Sequence, residues 1–119
     1  MKIEIHKTNG VEIAEIIADE LVITSTEDGS DLAGSLYFQG YNKVIIYEKN
    51  IIPAFFDLKT GIAGEVLQKF SNFRIRLAVV GNWSLYSNPR MQEFISESNK
   101  LGHINFTETT EEAIQRLLK

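Results

Sequence analysis

The sequence predicts an α/β fold: a mixed, mostly parallel sheet of about five strands, about four helices and an N-terminal β-hairpin. Three observations carry this prediction. Short apolar runs alternate with segments of helical periodicity. Asn9-Gly10 separates two stretches of alternating polarity, a strong hairpin signal. Helix-start signals then recur, at Ser25 with Asp28, Asn88 before Pro89, and Thr109 with Glu112.

The elements follow in order. KIEIH (2–6) alternates as a strand, and VEIAEII (11–17) alternates again through Val11, Ile13, Glu15 and Ile17. The connection ADELVITS is expected to bury Leu21, Val22 and Ile23. Leu32, Ala33, Leu36 and Tyr37 form one apolar helix face, and Gly40 ends that helix. KVIIYE (43–48) is a continuous apolar run, as in a central strand. Pro53 can start a helical turn. Ile62, Ala63, Val66, Leu67 and Phe70 have the spacing of a buried helix face. RIRLAVVG (74–81) is the next strand, Met91, Phe94 and Ile95 face one side of the following helix, and Gly102 stops it. HINFT (103–107) is the last strand, and Ala113, Ile114, Leu117 and Leu118 line the last helix. Strands alternating with helices imply parallel pairs joined by right-handed crossovers. With no repeat, linker or low-complexity tract, residues 1–119 read as a single domain.

Composition narrows the function. Hydrophobic residues make up 44% and charged residues 24%, as in an ordinary soluble domain. There is no cysteine, which excludes disulfides and thiolate metal ligands. The formal net charge is −4 and the lysines and arginines are scattered, which speaks against nucleic acid or an anionic membrane as partner. The first residues lack the apolar stretch of a signal peptide, and no run approaches the roughly 18 apolar residues of a membrane span. The expectation is a cytoplasmic protein.

The element order resembles the STAS fold of anti-sigma-factor antagonists over most of the chain. Two stretches sharpen the resemblance. KTGIA (59–63) is similar to the second half of that family's Asp-Ser-Ser-Gly-Leu-Gly motif. Thr60 stands at the second serine, Gly61 at the first glycine, Ile62 at the leucine and Ala63 at the second glycine. INFTETTEEAIQRLL is similar to the family's strand, acidic turn and final helix. The resemblance implies a phosphorylated serine at the position that Lys59 occupies, and an aspartate where Leu58 stands. Lysine cannot play that part and Asp57 is displaced by one residue, so only Thr60 is left as a candidate phosphoacceptor. The stretches KIEI, FFDLKTGIAGE and ESNKLGHINF resemble an uncharacterised bacterial family, domain of unknown function 4180, along the full chain. That resemblance implies a fold and a bacterial setting and brings no activity.

The candidate sites converge on FFDLKTGIAGEVL (55–67). Gly61 and Gly64 at a helix start could cradle phosphate, but Glu65 would repel it, and no Walker pattern is present. Close packing of the helix on the sheet is the simpler reading of both glycines. Asp57 reads as a helix cap rather than a base, and Thr60 as a cap or the phosphoacceptor. His6 and His103, in separate strands, do not form a metal set. Ligands of parallel sheets bind beyond the carboxyl ends of the strands, which gathers residues 48–50, 82–88 and 107–109. There, Trp83 and Tyr86 form a contact surface or fold back onto the domain. An acidic pair for a phosphorelay receiver is missing after the first strand.

The reading is a non-catalytic regulatory domain that docks a protein partner through residues around 55–65, with Asp57, Lys59, Thr60, Gly61, Trp83 and Tyr86 as the candidate edge. No catalytic set, cofactor or metal is expected. The alternative is a small-molecule-binding protein or enzyme that uses the same edge with the 82–88 loop. A homo-oligomer without ligand is the third reading.

Overall fold

The computed structural model describes all 119 residues. Its first element pair is the expected hairpin. Asn9 and Gly10 have φ of 52° and 78°, the two left-handed positions of a type I′ turn. The turn joins β1 (Lys2–Thr8) to β2 (Val11–Ile17), in register from Thr8 opposite Val11 to Lys2 opposite Ile17.

The remaining elements are α1 (Thr26–Phe38), β3 (Lys43–Tyr47), α2 (Ile62–Asn72), β4 (Arg76–Val80), α3 (Pro89–Leu101), β5 (Ile104–Thr107) and α4 (Thr110–Leu118). Caps fix three of the helix starts. Ser25 accepts the N–H of Asp28 at 3.1 Å, Asn88 that of Arg90 at 2.8 Å, and Thr109 that of Glu112 at 3.1 Å. β4 starts two residues later than the sequence implied, because Arg74 takes a left-handed φ of 57° and breaks the extended run. His103 lies one residue before β5 rather than inside it.

The sheet order is β1-β2-β3-β4-β5, with β1 antiparallel to β2 and all other pairs parallel. Successive right-handed crossovers that step in one direction put their helices on one face. That face holds a core of 23 buried residues, which joins α1, α2 and α3 to Ala14, Ile16, Val44, Ile46, Leu77, Val79, Ile104 and Phe106. The opposite face is covered by α4 alone, through Ala113 and Leu117 against Ile13, Ile45, Ala78 and Val80. Arg76 ties the two sides at one end of the sheet, because its guanidinium donates to the carbonyls of Gly102, Arg116 and Leu117.

Three expectations change. Leu21 and Tyr37 are exposed, and only Ile23 of the 21–23 stretch is fully buried. Tyr37 leaves the apolar face of α1 because it stacks on Phe73 at the surface, with centroids 5.0 Å apart. Gly61 and Gly64 are not the close-packing glycines, since a Cβ at either would meet nothing within 4 Å. Gly29 is, because a Cβ there would stand 2.5 Å from Val66 Cγ2 where α1 crosses α2.

Gly29→Ala is expected to destabilise the domain by about 1–3 kcal/mol in chemical denaturation, through overpacking, and Val66→Ala should recover part of that loss. Gly64→Ala, in the exposed first turn of α2, should instead stabilise by about 0.5–1 kcal/mol.

Candidate functional site

The carboxyl ends of β3, β4 and β5 converge on one edge. Glu48 follows β3 in a 3₁₀ turn (Glu48–Asn50) and lies across Gly81, where a Cβ would meet its carboxylate at 2.4 Å. Its Oε1 accepts the N–H of Asn82 at 3.1 Å and its Oε2 accepts the Tyr86 hydroxyl. The loop after β4 turns through Trp83–Leu85, and Gln92 of α3 holds it by donating to the carbonyls of Trp83 (3.0 Å) and Tyr86.

Trp83 folds back onto its own domain. It is 5% exposed, its indole N–H donates to the carbonyl of Thr107 at 2.8 Å, and its ring meets Phe106 edge-on at 4.9 Å. The exposed apolar residue of the loop is Leu85, at 75%. Phe56 joins this loop to the 55–61 segment, since its ring lies 5.5 Å from Trp83 and 5.6 Å from Tyr86. Glu48 belongs to the strand-end edge that the sequence gathers, though not with this bridging role, and Phe56 is the residue that sequence reasoning did not single out. The signal for Phe56 was the aromatic pair after Pro53.

The 55–61 segment is built from two short turns, Pro53–Phe56 and Leu58–Thr60. Asp57 caps the second turn by accepting the N–H of Lys59 at 3.2 Å, so it does not cap α2. The N-cap of α2 is Gly61, with φ of 78° and no side-chain bond. Thr60 locks the two turns together. Its hydroxyl lies 2.8 Å from the carbonyl of Ala54 and 2.9 Å from that of Asp57, and it accepts the N–H of Ile62 at 3.3 Å. A phosphate there would lose this donor and set negative charge beside two carbonyls. Asp57, Lys59, Thr60 and Gly61 are all exposed.

Two clefts flank Phe56. One, of about 110 Å³, runs between Asp57, Leu58 and Lys59 on one side and Asn88, Arg90 and Met91 on the other. The second, of about 330 Å³, lies between Leu21, Glu48, Ile51, Pro53 and Tyr86. The ion pairs of the chain, His6–Glu15 and Lys7–Glu12, involve neither Lys59 nor Arg90. Two unpaired cations therefore border the smaller cleft.

A second polar cluster lies on the α4 face. Buried Glu15 accepts from the Tyr47 hydroxyl, lies 2.6 Å from His6 Nε2, and Tyr47 meets the Thr110 hydroxyl at 2.6 Å. Here the groups satisfy one another, as a buried carboxylate requires. Burial raises the pKa of Tyr47 above the ordinary 10, and the Glu15 hydrogen bond adds to the shift. Tyr86 is raised in the same way, by burial first and then by its bond to Glu48 and that carboxylate's charge. Burial and then Arg76 lower the pKa of His103. No three His, Asp or Glu side chains converge as a metal shell, and no helix is long and apolar enough to cross a membrane.

Comparisons with known proteins agree with this architecture. The family described as "Domain of unknown function (DUF4180)" matches residues 8–117, and the chain belongs to that family. No curated protein matches it. A crystal structure from Thermotoga maritima, whose description proposes an anti-sigma factor antagonist, is similar at 14% identity and a TM-score of 0.51. The likeness covers 98% of this chain and 95% of that one. The fold is accordingly STAS-like.

Three outcomes test the geometry of this edge and of the Glu15 cluster. The raised phenols favour the folded state fully below pH 10, the ordinary tyrosine value, and that contribution is lost as pH rises through their folded values. Stability should therefore fall above pH 10, and Glu48→Gln should bring ionisation of Tyr86 to lower pH in a tyrosinate absorbance titration. Thr60→Ala should cost about 1 kcal/mol in chemical denaturation, through loss of the turn lock, while Thr60→Ser keeps most of it.

Proposed function

We propose that this DUF4180-family domain is a non-catalytic regulatory module that docks a protein partner through the 55–65 segment. One observation carries the reading. The segment is pinned from behind by Thr60 and Phe56 while Asp57, Lys59 and Gly61 face solvent. A surface held rigid before contact loses little conformational entropy on binding. The STAS-like fold supports a regulatory role, since the similar structure is described as that of a proposed anti-sigma factor antagonist. The unpaired Lys59 and Arg90 suit an acidic patch on the partner, in a chain whose own net charge is −4.

The small-molecule alternative has less support. The smaller cleft, about 110 Å³, is below the roughly 300–1,000 Å³ of ligand pockets, and the larger one only reaches that range. Glu48, the central acceptor of the larger cleft, is already bonded to Asn82 and Tyr86.

Affinity capture from a bacterial lysate tests the docking reading, with Lys59→Glu as the edge variant and Lys100→Glu on α3 as a charge-matched control. The expected result is a protein retained by the parent and by Lys100→Glu and depleted at least about tenfold, or 1.4 kcal/mol, by Lys59→Glu. Equal capture by parent and Lys59→Glu, or specific capture by neither, removes the support for docking at this edge.

A further inference from the structure

The opening hairpin carries a second interface: we propose that β1 pairs with β1 of a second copy of this chain, antiparallel about Ile5, so that the two sheets become continuous in a homodimer. β1 is the outer strand and β2 is its only neighbour. It is seven residues long with no proline, and its register with β2 runs unbroken from Lys2 to Thr8. Such an edge is a template for another strand unless charges, proline or a bulge blunt it, and since this one carries Lys2, Glu4 and Lys7 the register of any pairing must set those charges against unlike groups.

The turn decides which groups point outward. A two-residue type I′ loop makes Thr8 and Val11 a mutually hydrogen-bonded pair. Alternation then makes His6, Glu4 and Lys2 bond inward to β2, and Ile3, Ile5 and Lys7 present their N–H and C=O to the outer edge. A second copy can pair only where outward-bonding residues meet each other.

Three such registers keep most of the strand paired. Centred on Glu4, the strand sets that carboxylate against itself. Centred on His6, it sets imidazole against imidazole. Centred on Ile5, it sets Glu4 opposite His6 of the second copy, Ile3 opposite Lys7 and Ile5 opposite Ile5. The last register is the one of the three that sets no titratable group against its own copy, and it pairs Ile5, 39% exposed in the single chain, with Ile5 of the second copy. This interface lies at the opposite end of the strand order from β5 and does not depend on the docking edge.

The test uses the absence of cysteine, which makes any introduced thiol the only one. Residues directly opposite in an antiparallel pair have Cβ atoms roughly 4.5–5.5 Å apart, within reach of a short thiol cross-linker. The parent should run as a dimer in gel filtration with light scattering at high micromolar concentration. Ile5→Cys should cross-link to a covalent dimer, whereas Leu85→Cys, exposed on the other edge of the domain, should not. Ile5→Lys, which sets like charges opposite each other, should be monomeric with unchanged circular dichroism. A monomeric parent overturns the proposal. So does a dimer that survives Ile5→Lys, or equal cross-linking of the two cysteine variants.

Discussion

Everything in this domain follows from the direction in which the sheet is built. The parallel strands are added in sequence order, so each crossover steps the same way and each connecting helix lands on the same face. α1, α2 and α3 therefore share one core of 23 buried residues, and α4 is left to cover the other face with a core of six. The asymmetry explains the polar cluster at Glu15. On the face that α4 only partly covers, β1, β2 and β3 carry His6, Glu15 and Tyr47, which satisfy one another, with Tyr47 also tied to Thr110 at the start of α4. It also explains the place of Arg76. At the end where α3 and α4 finish, one guanidinium serves carbonyls of both chain segments.

The same ordering assembles the edge. The loops after β3, β4 and β5 are neighbours because their strands are, and Gly81 lets Glu48 lie across the gap between two of them. Aromatic contacts finish the construction. Phe56 comes from the connection after β3, Trp83 and Tyr86 from the loop after β4, and Phe106 from β5. Trp83 and Phe106 are buried and serve as the foundation, while the small and charged residues around Lys59 face solvent.

Much of this was legible in the sequence. The hairpin was written in Asn9-Gly10, and three helix starts in Ser25, Asn88 and Thr109, because these signals act over two or three residues. The family motif drew attention to the 55–61 segment, with Lys59 in place of the expected serine, and the local turn structure there is set by Asp57 and Thr60. The misreadings share one cause. Gly64 sits next to a helix start and looked like a packing glycine, while Gly29 looked like any residue in mid-helix. Which glycine faces a neighbour depends on where α1 crosses α2, and Gly29 and Val66 are far apart in the chain. Asp57 was assigned to the wrong turn for a similar reason. An aspartate before a helix is a cap, but the extra 3₁₀ turn between it and α2 is set by Thr60 reaching back to Ala54.

By itself, then, the sequence determined the strands, the helices, the hairpin and the α/β class. Each rests on periodicity or on a turn whose chemistry is local. The tertiary structure alone decided which face each helix took, that Trp83 points inward and Leu85 outward, that Glu48 bridges two loops, and that Ile5 lies exposed on an open edge. Those outcomes depend on contacts between residues distant in the chain, where spacing along the sequence carries no information about separation in space.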